Sequence, residues 1–198
     1  LFEAVHRRGI ASAPDFITVD SADGGTGAAP ESLIDYVGMP LNESLPMVVD
    51  LLYEFNLRER IRVIASGKLI NPGKVAWALA CGADFCQSAR GFMFALGCIQ
   101  ALQCNKNTCP TGITTHDREL QRGLVPEEKR KRVAAYARAV AYGVGIIAHS
   151  CGVAEPRRLT REHMRVIEAG GESHSMATLH PLPGARSEYA DVIASSGP

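Results

Sequence analysis

Three cysteines, Cys98, Cys104 and Cys109, lie in the stretch Gly97-Cys-Ile-Gln-Ala-Leu-Gln-Cys-Asn-Lys-Asn-Thr-Cys-Pro110. Five residues separate the first pair and four the second. Thiolate sulfur is the ligand that iron–sulfur clusters and structural zinc share. Four thiolates suit a 4Fe–4S or 2Fe–2S cluster or a zinc ion. Three thiolates with no fourth nearby suit a cluster with one iron missing, the 3Fe–4S type. On spacing alone two other readings stand beside it. One is a packed loop of three thiols closed by Cys109-Pro110. The other is a zinc site completed by His116, the nearest candidate for a fourth ligand.

Two turns upstream could hold a phosphate. In Ser66-Gly67-Lys68-Leu69, the glycine lets backbone N–H groups approach an anion and Lys68 adds charge. Ala89, Arg90 and Gly91 offer N–H groups at a helix start together with a guanidinium. Helix N-termini favour anions through unpaired N–H groups and the helix dipole. Either turn alone is a weak signal; two on successive strands reinforce each other. A third loop, Asp23-Gly24-Gly25-Thr26-Gly27, has glycines that permit unusual backbone angles and close approach of a ligand. Its alternative is a tight turn in which Asp23 and Thr26 bond locally.

The elements that must position these residues read as strand–turn–helix units. Residues 15–20 are a β-branched run that feeds the glycine loop. Apolar residues at helical spacing predict a helix over 45–60, and 61–65 is a second strand. Asn71 as N-cap and Pro72 as first helical residue predict a helix to Cys81, closed by Gly82. A third strand over 83–87 runs into Ser88-Ala-Arg-Gly91 and an apolar stretch to Leu96. Alternating strands and helices argue for a parallel α/β arrangement. Each candidate loop then lies at the C-terminal end of a strand, where such folds keep their sites.

Beyond the cysteines, Pro126 with Glu127 and Glu128 opens a long helix to about His149. Thr160 is expected to cap a short helix through Ala169. The tail from Gly170 has no clear period and is expected to wrap the domain or stay irregular. The divisions expected are a partial barrel over 1–125, packing helices over 126–170 and a tail over 171–198.

Bulk composition bounds the function class. The chain has 198 residues, 46% hydrophobic and 21% charged, with 21 basic and 21 acidic residues. That is a soluble globular composition with no basic field for nucleic acid. No signal peptide is expected, and no apolar run is long enough to span a bilayer. Six cysteines in a chain of this length and type argue for a reducing, cytoplasmic setting over a disulfide framework. Cys81, Cys86 and Cys151 read as small buried hydrophobes. The start at Leu1-Phe2-Glu3 is abrupt, as in a fragment or a processed product.

Three motifs in order, Asp23-Gly-Gly-Thr-Gly-Ala28, Ser66-Gly-Lys-Leu69 and Gly97-Cys98 through Cys104 to Asn107-Thr-Cys-Pro-Thr-Gly112, carry a family resemblance. The chain resembles the C-terminal part of the FMN-binding synthase domain of glutamate synthases, and within it the stand-alone FMN-binding proteins. The resemblance implies a (β/α)8 TIM barrel, of which the three strands are the sixth to eighth. It implies FMN phosphate at Ser66, Gly67, Lys68, Ala89, Arg90 and Gly91. Asp23, Gly24, Gly25 and Thr26 would face flavin and substrate, and Cys98, Cys104 and Cys109 would hold a 3Fe–4S cluster.

The implied reaction is reductive amination: ammonia and 2-oxoglutarate form an imine, and reduced FMN passes it a hydride. The cluster would relay electrons from a donor protein or reductase subunit. Ammonia would come free or from glutamine, and the catalytic residues are not assigned. Related proteins make N-methylglutamate, so that subunit is an alternative, as is an inactive electron-transfer or interaction fragment. The other barrel strands, or a second copy of the chain, are the partner expected. Two positions depart from the family pattern: Lys68 stands where a second glycine is usual, and Ala89-Arg90-Gly91 replaces a Gly-Thr-Ala-like turn. The arginine is similar to phosphate turns of other FMN barrels.

Overall fold

The computed structural model describes residues 1–24, 29–34 and 36–183. Gly25 and Thr26, two of the candidate residues, lie outside them. Helix α1 (Phe2–Arg8) precedes strand β1 (Phe16–Asp20) and packs by Phe2 and His6 against Phe55. Helices α2 (Glu31–Ile34) and α3 (Leu41–Glu54) lead to β2 (Arg62–Ser66), and α4 (Pro72–Cys81) leads to β3 (Phe85–Gln87). The three strands form one parallel sheet in the order β1-β2-β3. This mixed α/β arrangement is compatible with part of a barrel. Leu45, Val49 and Leu52 of α3 are fully buried with Val63 and Ala65 of β2.

Helix α3 is displaced from its predicted 45–60. It starts four residues earlier because Asp23 Oδ2 accepts from Leu41 N at 2.7 Å, a cap supplied from across the chain. It stops earlier because Asn56 takes a left-handed φ of 51°. Leu57 N then donates to Leu52 O, and Asn56 N to Tyr53 O, the paired bonds of a Schellman ending. Helix α4 keeps its predicted bounds: Asn71 Oδ1 accepts from Lys74 N at 2.9 Å, and Gly82 closes the helix at φ 111°.

Helix α5 (Ala89–Leu96) ends at Gly97, and a short α6 (Arg118–Gln121) follows the cysteine loop. The long helix α7 (Pro126–Ser150) packs on α4 and α5. The helix expected after Thr160 is not formed. Thr160 N donates to His163 Nδ1 at 3.0 Å and closes a single 3₁₀ turn. The chain then extends as β4 (Arg165–Ile167), antiparallel to β5 (Ser173–Ser175). Helix α8 (Met176–Leu179) brings Met176 into the main core, where its sulfur lies 3.5 Å from Cys81 Sγ. Long-range burial, which local periodicity does not report, therefore orders residues 173–179. All six cysteines are free thiols; Cys81 is buried, Cys86 and Cys151 half-buried. Among the described residues no helix is long and apolar enough to cross a membrane.

Candidate functional site

Strand register places the three candidate loops side by side. Asp20 pairs with Ser66, and Ser66 with Gln87, so all three turns leave the same edge of the sheet. Ser21 N donates to Ser66 O at 3.0 Å, which ties the first turn to the second. Gly24 has φ 76°, and a Cβ built on it would lie 2.9 Å from Arg90 Nη2 and 3.0 Å from Lys68 Cε. Side chains of the second and third turns thus meet over the backbone of the first. Two cations above an open glycine backbone suit a phosphate. Lys68 itself adopts a left-handed φ of 46°, a conformation few non-glycine residues hold without reason.

The third turn begins α5, whose N-cap Ser88 makes no side-chain capping bond. Its first N–H groups are thereby left for an anion. Gly91 is constrained from behind: a Cβ there would collide with the Tyr136 hydroxyl. Tyr136, on α7, donates to Ile70 O at 3.0 Å, lies 3.3 Å from Ser88 Oγ and meets Phe92 edge-on at 5.0 Å. It buttresses both cation-bearing turns, yet no local pattern marks it in the sequence. Gly91→Ala is expected to destabilise the chain by about 1–3 kcal/mol through overpacking, read as a lower Tm. Adding Tyr136→Phe should recover part of that loss; a double variant no more stable than Gly91→Ala would show the contact is not the cause.

Asp23 serves the loop. Its Oδ2 accepts from Leu41 N and, at 3.0 Å, from Ser21 Oγ. The Ser21 bond is of the local kind weighed for Asp23 in the sequence; the Leu41 bond is not. Asp23, Gly67 and Lys68 line a cavity of about 230 Å3 beside Trp77.

The cysteines gather elsewhere on the same edge. Cys98, Cys104 and Cys109 line one cavity of about 210 Å3 with Gly24, Ala89 and Arg90. Met93, Phe94, Ile99 and Leu102 supply its apolar wall. The loop is wound by three non-glycine residues at positive φ: Gln100 at 55°, Leu102 at 52° and Asn107 at 61°. Asn107 Oδ1 accepts from His116 N at 2.6 Å and from the buried Thr115 Oγ1 at 3.2 Å, which pins the Cys104–Cys109 segment.

The spacing of the sulfurs bears on what they could hold. The three sulfurs share a cavity but do not all lie within 4.8 Å of one another. Ligands of a single zinc ion lie at most about 4.6 Å apart, twice a Zn–S bond of roughly 2.3 Å. His116 is exposed and is not part of the cavity wall. Separate sulfurs around one space fit a multi-iron cluster better than one ion.

Cys109 is also electrostatically distinct. Desolvation pushes its thiol up, but hydrogen bonding to Thr111 and Thr114 outweighs it and lowers the pKa to about 6. Thr111 Oγ1 lies 3.4 Å from the sulfur. Burial instead pushes Cys86 up to about 11, only partly offset by Arg157, and drives Cys81 higher still. In the cluster-free chain, iodoacetamide at about pH 7 should therefore alkylate Cys109 ahead of Cys86 and Cys81, since the thiolate is the nucleophile. Its rate should climb as pH rises through about 6 and then level off. Peptide mapping that found Cys86 labelled first would contradict this.

A family described as a conserved region in glutamate synthase matches residues 2–154. The chain belongs to the glutamate synthase family. Its relatives include the glutamate synthase large subunit-like protein YerD of Bacillus subtilis, 47% identical over 151 residues, 76% of this chain and 29% of that protein. The archaeal-type glutamate synthase [NADPH] of Thermotoga neapolitana is 34% identical over 155 residues, 77% of this chain and 31% of that protein. The archaeal glutamate synthase [NADPH] of Methanocaldococcus jannaschii is 35% identical over 155 residues, covering 77% and 30%. The chain thus spans under a third of the length of these glutamate synthases.

Proposed function

We propose that this chain is the part of a glutamate-synthase-type oxidoreductase that holds FMN phosphate and a 3Fe–4S cluster, within the last three units of a (β/α)8 barrel. The observation that carries it is the shared cavity of Cys98, Cys104, Cys109, Gly24, Ala89 and Arg90. When bound, FMN would supply hydride transfer to an imine carbon, and the cluster one-electron relay. Arg90 and Lys68 would neutralise the phosphate, and the N–H groups opening α5 would donate to it. Gly24 leaves the space that a side chain would take from both cations. The three cysteines would bind iron as thiolates, and Cys109 needs no strong base to lose its proton. Met93, Phe94, Ile99 and Leu102 would add apolar surface around a cluster held there, and such surroundings tune its potential.

The substrates of the whole protein would be 2-oxoglutarate and ammonia, with electrons from a donor protein. Phe16 and Phe85, on the two outer strands, are 57% and 49% exposed. This supports a partner that completes the barrel and covers the sheet edges. Anaerobic reconstitution of the chain with FMN, iron and sulfide tests the proposal. Retained flavin, with iron and sulfide in 3Fe–4S proportion, is expected. Zinc bound without iron or sulfide would sink the cluster assignment.

A further inference from the structure

Ser88 stands where a serine caps a helix, and it does not cap. Asn71, Asp117 and Ser175 open α4, α6 and α8, and each side chain accepts from a backbone N–H of its own helix. Ser88 opens α5 and makes no such bond. Distance is not the obstacle: a Cβ built on Gly91, the third residue of α5, would lie 2.8 Å from Ser88 Oγ. A serine in this position ordinarily accepts from the second or third N–H of the helix, here those of Arg90 and Gly91.

Tyr136 accounts for the difference. Its phenol carries one proton, and that proton goes to Ile70 O at 3.0 Å. In the 3.3 Å contact with Ser88 Oγ, the serine therefore donates and the tyrosine accepts. That bond turns the serine hydroxyl toward α7 and away from the N–H groups of α5. The tyrosine ring is itself held edge-on by Phe92 at 5.0 Å. Ile70 closes the lysine turn, since its N–H donates to Lys68 O at 2.9 Å. One phenol thus joins the end of the lysine turn to the start of the arginine turn.

We propose that Tyr136 is a positioning residue for the flavin phosphate. By accepting from Ser88 it withholds the serine cap from α5 and keeps the Arg90 and Gly91 N–H groups open to the phosphate. The inference rests on the FMN reading above and assigns Tyr136 a part in it. A capping serine would occupy a donor that the phosphate needs, and binding would have to break that cap first. Neither Tyr136 nor Ser88 lines the cavity of Arg90 and the cysteines, so both act through the turn.

Riboflavin lacks the phosphate, so the ratio of FMN to riboflavin affinity on the purified chain isolates this contact. Fluorescence titration should find that ratio about fivefold lower in Tyr136→Phe, the strength of one serine cap. Phenylalanine keeps the ring against Phe92, so circular dichroism should match the parent. Adding Ser88→Ala to Tyr136→Phe removes the competing cap and should return the ratio to within about twofold of the parent. A merely structural role for Tyr136 would not be rescued by a second truncation. A ratio unchanged in Tyr136→Phe, or a double variant as low as the single one, would overturn the proposal. Amide hydrogen exchange needs no flavin and separates the two readings. At Arg90 and Gly91 it should be slower in Tyr136→Phe than in the parent or the double variant. Equal exchange in all three would overturn the withheld cap alone. A parent that binds FMN and riboflavin alike would overturn the phosphate reading, and this role with it.

Discussion

Replacing Cys104 by serine is expected to remove the broad visible absorbance of the anaerobically purified protein and cut its bound iron and sulfide more than about tenfold. Even partners one shell out from a metal cost about 10–100-fold when lost, and Cys104 would be a direct ligand. The hydroxyl of serine is a far poorer donor to iron at neutral pH than a thiolate. The substitution is also gentle to the fold. Cys104 is half-buried in a loop outside the core cluster of Leu45, Val49, Leu52 and Val63. Circular dichroism should therefore be unchanged while the cluster is lost. An unaltered visible spectrum in this variant would remove Cys104 from the ligand set. The zinc alternative forecasts a different outcome, bound zinc with no sulfide in the parent protein.

Arg90→Ala should weaken FMN binding by roughly 10–150-fold, the loss of a hydrogen bond to a charged group worth about 1.5–3 kcal/mol. Fluorescence quenching of FMN on titration reads it directly. Lys68→Ala should do less, because a lysine offers a point charge where arginine offers a planar fork. Gly24→Ala should approach the arginine variant without removing a charge. Its methyl would press on Arg90 and Lys68 together, at a backbone angle that side chains rarely adopt. An Arg90→Ala protein that binds FMN as the parent does would move the phosphate to another turn, and the cavity of Asp23, Gly67 and Lys68 would be next.

Much of this site was legible because it is local. Asn71, Pro72 and Gly82 carry the signals of a helix start and stop, and α4 obeys them. The cysteine spacing and the cation-bearing turns sit in short stretches whose order is itself informative. Residues whose partners lie far along the chain were not legible. Tyr136 reaches Ile70 and Ser88 from α7. The Asp23 carboxylate fixes where α3 begins. Met176 orders a segment that reads as irregular, because its side chain finds the core beside Cys81.

By itself, the sequence determined the family, the parallel alternation of strands and helices, and which residues are candidates for phosphate or iron. Those follow from residue type, period and spacing. Only the tertiary structure decided that Gly24, Arg90 and the cysteines share one cavity, while Asp23 is turned to capping a helix. The physical reason is common to both: strand register and long-range packing set distances between residues dozens of positions apart, and local spacing cannot encode them.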